Sequence, residues 1–394
     1  MELTKKQEEG LKIALERYKN NEKYTVISGY AGTGKSTLVK FIIEALDVEK
    51  DKVAYATFTG KAAEVLRKKG NPNAMTLHKL LYDSYPKPGG GFIRKPKLSL
   101  GYDIAVIDEV SMVPKDMIDM LLKHKVYILF LGDPFQLPQI DKKQAHDLLD
   151  TPHIFLDQIM RQAAESEIIQ LTMKIRNGED IPYMKGKEVQ VIPRKELVTG
   201  CLTWADSIIC ATNATRHNLN NQMRTLLGYE GLLCEGDKIL IKRNYWDDCN
   251  EEGDALVNGT IGTVHNIFNN FIEIPRFIRC DEHRIDTLTC DFIPEGTGSF
   301  NGVSLDKSFL ESEEPCVDWR ISYQLGKMKN KIGDILPKQA TYGYALTGWS
   351  AQGSEWDKVL VLEENFPFDK LEHQKFLYTC ATRASKKLVL VKNL

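Results

Sequence analysis

The first part of the chain alternates short apolar runs with stretches in which apolar residues recur at helical spacing. The apolar runs, which are typical of buried strands, lie at 24–28, 52–57, 103–108 and 126–132. The helical stretches lie at 4–20, 36–46 and 61–69. Strands that alternate with helices predict an α/β domain in which a parallel sheet carries helices on both faces.

A second α/β pattern begins near residue 156, with a strand predicted at 206–212 and a helix at 213–228. Between about 235 and 335 the pattern changes to short β-like runs separated by Gly, Asn and Asp, which predict a small β-barrel or sandwich. Strand texture returns at 358–364 and 387–392, so the β-rich segment interrupts the second α/β domain.

A chain of 394 residues fits two to four domains. A stretch rich in Gly, Pro and Lys at 84–100 predicts a loop or short hairpin inserted in the first domain. The predicted boundaries are 1–83 and 101–155 for the first α/β domain, 84–100 for its insertion, 156–235 and 336–394 for the second α/β domain, and 236–335 for the β-rich insertion.

Composition narrows the class of protein. Hydrophobic residues make up 42% and charged residues 27% of the chain, as in soluble globular proteins. The charged, amphipathic N-terminus is unlike a signal peptide, and no apolar run is long enough to span a membrane, so we expect a cytoplasmic protein of a bacterial or phage-infected cell. The net charge of −2 argues weakly against a nucleic-acid partner, but residues 86–98 contain basic residues and no acidic one.

None of the eight cysteines forms a CxxC pair, and all follow residue 200 in a large chain, which argues against a disulfide framework. A zinc site built from Cys280, His283 and Cys290 is one reading of their spacing. Scattered reduced thiols are the other, and we favour it.

The segment GYAGTGKS at 29–36 has the pattern GxxxxGK[ST] between a predicted strand and a predicted helix. Gly29, Gly32 and Gly34 let the backbone curl around phosphate, so that N–H groups point inward at the start of a helix. In this pattern Lys35 meets the β- and γ-phosphates, and the Ser36 hydroxyl binds Mg²⁺.

Two further segments follow apolar strands. In AVIDEVSM, Asp108 and Glu109 stand at the carboxyl end of a strand, where open α/β sheets bind ligands. Asp108 can hold Mg²⁺, and Glu109 can act as the general base on the attacking water. In GDPFQLP, Gln136 can sense the γ-phosphate, although a plain turn also accounts for this segment. Together these residues predict a nucleoside triphosphate hydrolase.

The ordered motifs resemble those of superfamily 1 helicases, most closely the RecD/Dda-like branch. The resembling segments are LTKKQ at 3–7, GYAGTGKST at 29–37, ATFTGKAA at 56–63, TLHKLL at 76–81, DEVSM at 108–112, LGDPFQLP at 131–138, IMRQ at 159–162, NGTIG at 258–262, LTGWSAQGSEWDKV at 346–359 and YTCATRA at 378–384. They extend over nearly the whole chain.

This resemblance implies two RecA-like domains with ATP bound between them. Arg161 and Arg383 match arginines that act on the γ-phosphate from the opposite domain, where cations stabilise developing charge. Gln7 matches the residue that reads adenine, Glu355 the acid at the ribose, and Gly353 part of the segment that couples ATP to nucleic acid. The full set expected at the nucleotide is Gln7, Gly29, Ala31, Gly32, Thr33, Gly34, Lys35, Ser36, Thr37, Gly353 and Glu355.

The resemblance also implies contacts to a nucleic-acid strand, for which Thr57, Lys61, Thr76 and His78 match the family positions in the first domain. The insertion at 84–100 falls where the family carries its strand-separating pin, and the β-rich insertion where it carries an SH3-like domain. For the pin we favour Phe92 as the residue that stacks on a base at the fork, with Tyr85 as the rival. A basic surface loop is the alternative to a pin.

One motif departs from the family pattern. The family usually has TVHKSQG where this chain has TGWSAQG, so Trp349 stands in place of a histidine. An indole ring there can stack on a base or pack in the core.

We therefore expect an ATP-dependent helicase that moves 5′-to-3′ on single-stranded DNA, the polarity being implied by the resemblance. The alternative is a translocase that displaces bound proteins with little unwinding. A non-motor switch is a third reading, but it would favour loss of Glu109, Gln136 or Arg383, and all are present. ATP and Mg²⁺ are the expected cofactors. Single-stranded and forked DNA are the expected partners, with single-strand-binding, replication or recombination proteins beside them, and we expect a monomer and no membrane contact.

Overall fold

The computed structural model describes residues 3–86, 92–138, 142–160, 164–280, 283–296, 298–332, 335–367 and 369–393. Within these ranges the chain forms two α/β lobes, a hairpin and a β-rich insertion. None of the helices in the described ranges has the length and apolar character that a bilayer crossing needs.

The first lobe is a six-stranded parallel sheet in the order β3-β2-β6-β7-β1-β8. With the hairpin, its elements are α1 (Lys5–Lys19), β1 (Tyr24–Gly29), α2 (Lys35–Ala45), β2 (Val53–Thr57), α3 (Gly60–Lys68), β3 (Met75–Thr76), α4 (Leu77–Leu81), β4 (Tyr82–Pro86), β5 (Phe92–Pro96), β6 (Ile104–Ile107), α5 (Lys115–Leu121), β7 (Tyr127–Gly132) and β8 (Ile154–Leu156). Alternate residues of β7 enter opposite cores: Ile128 and Phe130 pack with α4 and α5, and Leu129 and Leu131 with α1 and α2. This two-faced burial explains the continuous apolar run of the strand.

A two-stranded antiparallel hairpin, β4 and β5, projects from this lobe within the stretch where an insertion was predicted. Its pairing runs from Tyr82 opposite Pro96 to Pro86 opposite Phe92. The hairpin therefore begins two residues before the predicted boundary at 84, and residues 87–91 lie outside the described ranges.

The second lobe begins with the following elements: α6 (Glu167–Asn177), β9 (Met184–Lys185), β10 (Val189–Pro193), α7 (Thr199–Trp204), β11 (Ser207–Cys210) and α8 (Asn213–Leu226). Thr212 caps α8, its side chain accepting a hydrogen bond from the Thr215 N–H. The chain then leaves this lobe for the insertion.

The insertion is a five-stranded antiparallel sheet in the order β17-β16-β15-β12-β18, with a separate β13–β14 pair. Its elements are β12 (Lys238–Ile241), β13 (Tyr245–Cys249), β14 (Ala255–Leu256), β15 (Ile261–Glu273), β16 (Arg284–Pro294), β17 (Phe300–Asp306), α9 (Lys307–Ser312), α10 (Trp319–Ile332) and β18 (Ala340–Tyr342). Strand β18 carries the sheet past the predicted limit at 335. Helix α10 lies where only β texture was predicted, and it buries Leu325 in a small core beside the β15–β16 hairpin.

The cysteines of the insertion do not converge. Cys280 Sγ lies 3.6 Å from His283 Nδ1, but Cys290 is buried in the sheet core near the Val303 carbonyl. Among the described residues, no three His, Cys, Asp or Glu side chains cluster closely enough to hold a metal ion by themselves. The structure thus supports scattered thiols over a zinc site.

The chain returns to the second lobe through β19 (Ala345–Thr347), β20 (Trp356–Leu362), α11 (Lys370–Ala381) and β21 (Ala384–Lys392). Its sheet has the order β19-β11-β20-β21-β10-β9 and is parallel except for β9 at one edge. The predicted α/β class with parallel sheets in two lobes is confirmed, and the pin and SH3-like character of the two insertions stay predictions. Helix α11 lies against the first lobe, where its side chains bond to backbone N–H groups of Ala31 and Leu137.

Candidate nucleotide and nucleic-acid sites

The glycine-rich loop connects β1 to α2 at the carboxyl edge of the first sheet. Gly34 takes a positive φ of 80° just before the helix, and a Cβ there would lie 2.5 Å from Gln7 Nε2. Lys35 Nζ donates to the carbonyl oxygens of Gly29 and Tyr30 at 2.6 and 3.0 Å. The ammonium group therefore lies over the loop, where nucleotide phosphates would compete with these carbonyls for its protons.

Two carboxylates follow β6 at the same edge. Asp108 Oδ1 accepts a hydrogen bond from the Glu109 N–H at 2.9 Å, and Glu109 has a left-handed φ of 52°. Burial raises the pKa of Asp108 to about 6, the negative charge of Glu109 adds to the rise, and Lys35 opposes it. A carboxylate that desolvation disfavours in its charged form fits a divalent cation, which would stabilise that charge.

Arg383 reaches this edge from the second lobe. Its Nη1 lies 3.8 Å from Glu109 Oε1. With its amide oriented to satisfy both neighbours, Gln136 donates to Glu109 Oε2 at 3.1 Å and accepts from Arg383 Nη2 at 3.3 Å. The arginine is 5% exposed and donates within its own lobe to the carbonyls of Ser354 and Thr379, at 3.2 and 3.0 Å. An acid, an amide and an arginine from three separate segments therefore meet.

A cavity of about 500 Å³, the nucleotide cavity, opens between the lobes at this point. Its lining includes these predicted residues: Ala31, Gly32, Thr33, Gly34, Lys35, Ser36, Thr37, Asp108, Glu109, Gln136, Gly353, Glu355 and Arg383. The two lobes thus contribute opposite walls, as the resemblance implied.

Two residues of the second lobe contact the first lobe beside this cavity. Gly353 has a φ of 71°, and a Cβ there would lie 3.1 Å from Thr59 Oγ1, so both its conformation and the close approach favour glycine. Glu355 Oε2 pairs with Lys69 Nζ at 2.6 Å. The acid predicted at the ribose is therefore engaged by a lysine that also lines the cavity.

Gln7 is differently placed. It is 1% exposed; its Oε1 accepts from the Thr4 N–H at 3.0 Å, and its Nε2 donates to the Thr33 and Gly34 carbonyls at 3.4 Å. It therefore caps α1 and braces the phosphate loop, and its expected contact with adenine stays a prediction. Arg161, the other predicted arginine, lies outside the described residues.

A second cavity, of about 240 Å³, lies between the first lobe and the β-rich insertion. Lys61, Thr76 and His78 line it, which brings three of the predicted strand contacts together, and we call it the strand groove. Thr57 does not line it: this residue is 1% exposed and borders the nucleotide cavity.

Acidic residues of the insertion pair with the lysines of the strand groove. Glu295 Oε2 lies 2.9 Å from Lys61 Nζ, and its Oε1 lies 3.2 Å from Lys238 Nζ. Asp254 Oδ1 lies 3.5 Å from Lys79 Nζ. Burial raises the pKa of Glu295, but the two lysines outweigh that effect and hold it below its ordinary value. The carboxylate is therefore charged at neutral pH and competes with phosphate for Lys61.

The two aromatic residues predicted to stack on bases differ in setting. Phe92 begins β5 at the far end of the paired hairpin. Trp349 is partly buried against the core of the second lobe, and its ring centroid lies 6.4 Å from that of Phe366 and 6.3 Å from that of Phe376. Of the two readings for Trp349, the structure favours packing.

Asp133 and Tyr378 are site residues that the sequence reasoning did not single out. Both are buried, and the Tyr378 hydroxyl lies 2.6 Å from Asp133 Oδ2 and 2.9 Å from the Ala31 nitrogen. They lie inside the recognised segments LGDPFQLP and YTCATRA, which also contain Gln136 and Arg383. Nothing in the sequence indicated that these segments touch through a tyrosine.

Comparison with known proteins agrees with the resemblance of the sequence motifs to helicases. An AAA domain family model matches residues 2–196, and a UvrD-like helicase C-terminal domain model matches residues 342–391. The ATP-dependent RecD2 DNA helicase of Deinococcus radiodurans is 33% identical over 385 residues, covering 91% of this chain and 45% of that protein. The chain therefore spans less than half of the length of this relative.

A second relative, the uncharacterised protein R530 of Acanthamoeba polyphaga mimivirus, is 30% identical over 94% of this chain and 95% of its own length. Among solved structures, Bacteroides Pif1 bound to single-stranded DNA superposes with a TM-score of 0.51 at 18% identity, covering 100% of this chain and 93% of that one, which supports the fold. The chain belongs to the superfamily 1 helicases, in the RecD/Pif1/Dda branch.

Proposed function

We propose that this protein is an ATP-dependent DNA helicase that moves along single-stranded DNA in the 5′-to-3′ direction. The observation that carries the proposal is the contact of Arg383 with Glu109 and Gln136 across the nucleotide cavity. An arginine delivered from the second lobe to the catalytic acid of the first makes hydrolysis depend on how the lobes close. The RecD2 relative is named an ATP-dependent DNA helicase.

The residues lining the nucleotide cavity have separate roles in this proposal. Lys35 and the N–H groups of the phosphate loop bind the phosphates, and Glu109 accepts a proton from the attacking water. Gln136 orients that water, and Arg383 stabilises the charge that develops on the transferred phosphoryl group. Ser36 and Asp108 would hold Mg²⁺, which neutralises phosphate charge. Gln7 and Arg161 keep their predicted roles at adenine and at the γ-phosphate.

The strand groove would hold the DNA. Lys61 supplies positive charge for phosphate oxygens, and Thr76 and His78 supply hydrogen-bonding groups, a combination that positions a backbone without reading sequence. Opening and closing of the nucleotide cavity would alternate the grip of the two lobes on the strand. The β4–β5 hairpin, with Phe92 at its distal part, would meet the duplex at the fork.

Two assays on the intact chain test this proposal. We expect ATP hydrolysis to rise at least tenfold when a single-stranded oligonucleotide is added, and forks with a 5′ tail to open while those with only a 3′ tail stay closed. Hydrolysis indifferent to DNA would contradict a motor function. Stimulated hydrolysis without fork opening would favour the translocase, and opening from 3′ tails alone would reverse the polarity.

A further inference from the structure

The deeply buried tyrosine of α11, Tyr378, makes a polar bridge from the second lobe to the phosphate loop. The residue is 1% exposed. Its hydroxyl accepts a hydrogen bond from the Ala31 N–H at 2.9 Å and donates to Asp133 Oδ2 at 2.6 Å. Its ring packs edge-on against Phe135, with centroids 5.3 Å apart. Every partner named here belongs to the first lobe, so one side chain joins the helix to two loops of the nucleotide cavity.

The direction of both hydrogen bonds is fixed. A phenol has one proton to give, and the carboxylate can only accept it, so the oxygen is free to accept from the backbone N–H. Burial raises the pKa of Tyr378 far above its ordinary value, and the charge of Asp133 adds to that rise, so the hydroxyl keeps its proton. Asp133 is itself anchored, since its Oδ1 accepts from the Phe135 N–H at 2.9 Å.

The same helix end carries the arginine. Thr379, the next residue, accepts from the Leu137 N–H through its hydroxyl at 2.9 Å, and its carbonyl accepts from Arg383 Nε at 3.0 Å. Tyr378 and Thr379 therefore fix α11 against the loop that bears Gln136, and the arginine that extends from this helix meets Gln136 and Glu109. Displacement of the helix by a fraction of an ångström would misplace the guanidinium group.

We propose that Tyr378 is a positioning residue, which seats Arg383 for hydrolysis by docking α11 onto Ala31 of the phosphate loop and onto Asp133. The proposal rests on the proposed ATPase function. In this proposal the tyrosine contacts the phosphate loop and does not contact the reacting atoms. Because it acts through the position of Arg383, its loss affects turnover and not nucleotide affinity.

The test is Tyr378→Phe in the full chain, with Tyr344→Phe as the matched control. Tyr344 is also buried and also bridges an N–H to a carboxylate, accepting from Lys238 N at 3.1 Å and donating to Asp237 Oδ1 at 2.8 Å, but away from the nucleotide cavity. We expect Tyr378→Phe to lower kcat about tenfold while KM for ATP changes less than about threefold, because two hydrogen bonds that hold the helix are lost. The control should keep the kcat of the unmodified chain.

A double variant separates positioning from general destabilisation. If the tyrosine acts through the arginine, Tyr378→Phe combined with Arg383→Ala should lower kcat no further than Arg383→Ala alone. Equal kcat values for the two tyrosine variants, a loss confined to KM, or additive losses in the double variant would overturn the proposal. An unmodified chain that does not hydrolyse ATP would instead refute the proposed function on which it rests.

Discussion

The nucleotide cavity and the strand groove both lie between the first lobe and another part of the chain, but they are closed in opposite ways. At the nucleotide cavity, a cation from the second lobe approaches an acid and an amide of the first, and carbonyl groups of its own lobe also hold it in place. At the strand groove, acids from the insertion neutralise cations of the first lobe, an arrangement that added phosphates must displace. The nucleotide cavity is therefore assembled for its ligand, whereas in the strand groove acidic side chains compete with the ligand for the lysines.

This difference gives each site its own dependence on conditions. The contact of Arg383 with Glu109 in the nucleotide cavity is largely buried, with side chains 6% and 23% exposed, so salt screens it weakly. In the strand groove the side chain of Lys79 is more accessible, with 45% exposed, whereas that of Lys61 is 11% exposed. We therefore expect nucleotide turnover to respond to geometry and strand binding to respond to ionic strength.

The largest expected effect separates the two sites. Lys35→Ala should lower ATP hydrolysis at least a thousandfold, because the loop loses its charge on the transferred phosphate. Binding of single-stranded DNA, measured by fluorescence anisotropy, should change less than about twofold, since Lys35 does not line the strand groove. Lys40→Ala, on the same helix, removes an equal charge and is the control. Substantial hydrolysis by the Lys35 variant would refute the site assignment.

The second effect tests whether the far wall of the nucleotide cavity takes part in the chemistry. Arg383→Ala should lower kcat about a hundred- to a thousandfold, since a preorganised cation is lost from the transition state. ATP binding, measured with a fluorescent analogue, should weaken by less than about fivefold. A variant that keeps kcat and loses only affinity would make the arginine a binding residue.

How far the sequence predicted these two sites depends on how local each feature is. The phosphate loop, Asp108 and Glu109 lie within short segments whose strand-loop-helix context is encoded nearby, and the structure brings them together. Arg383 was predicted from a motif farther along the chain, and the structure brings it to the same place as these residues. The bridge of Tyr378 to Ala31 joins residues far apart in the chain, and no periodicity or spacing encodes such a contact.

The strand groove was predicted only in part for the same reason. Lys61, Thr76 and His78 follow from motifs of the first lobe, but Glu295 belongs to a turn of the insertion and reaches Lys61 only through tertiary packing. The sequence indicated a β-rich insertion there, yet not helix α10 or the pairing of β18 with β12. Thr57 shows the same limit. Its motif position predicted a contact with the nucleic-acid strand, but the folded chain places this residue at the border of the nucleotide cavity.

The third effect concerns the distal part of the hairpin, beyond Tyr82 and Asp83, which line the strand groove. Phe92→Ala should slow unwinding of 5′-tailed forks about tenfold, because stacking of an aromatic ring on a base contributes about 1–3 kcal/mol. Hydrolysis stimulated by single-stranded DNA should stay within about twofold of the unmodified rate. Tyr85→Ala, on the paired strand, is the comparison. Equal loss of unwinding and hydrolysis in the Phe92 variant would discredit the hairpin as a pin, and a defect confined to the Tyr85 variant would reassign the stacking residue.

The smallest expected effect tests most directly whether acidic side chains compete with DNA in the strand groove. Glu295→Gln keeps the size of the side chain and removes the charge that pairs with Lys61, so single-stranded DNA should bind about two- to fivefold more tightly at low salt, as partly exposed ion pairs contribute about 0.2–1 kcal/mol. ATP hydrolysis without DNA should not change. Because the lysines hold the pKa of Glu295 below its ordinary value, the competing negative charge is present at neutral pH. It is lost only as pH falls through that lowered pKa.

Glu273→Gln is the matched control for this variant, since it removes the same charge from the exposed end of β15, away from the lining of the strand groove. An equal gain in both variants would mean that DNA responds only to the net charge of the protein. Weaker binding by the Glu295 variant would mean that the carboxylate holds Lys61 ready for phosphate, in which case the groove would be assembled for its ligand, as the nucleotide cavity is. Tighter binding in the Glu295 variant alone is the result that keeps the two sites distinct.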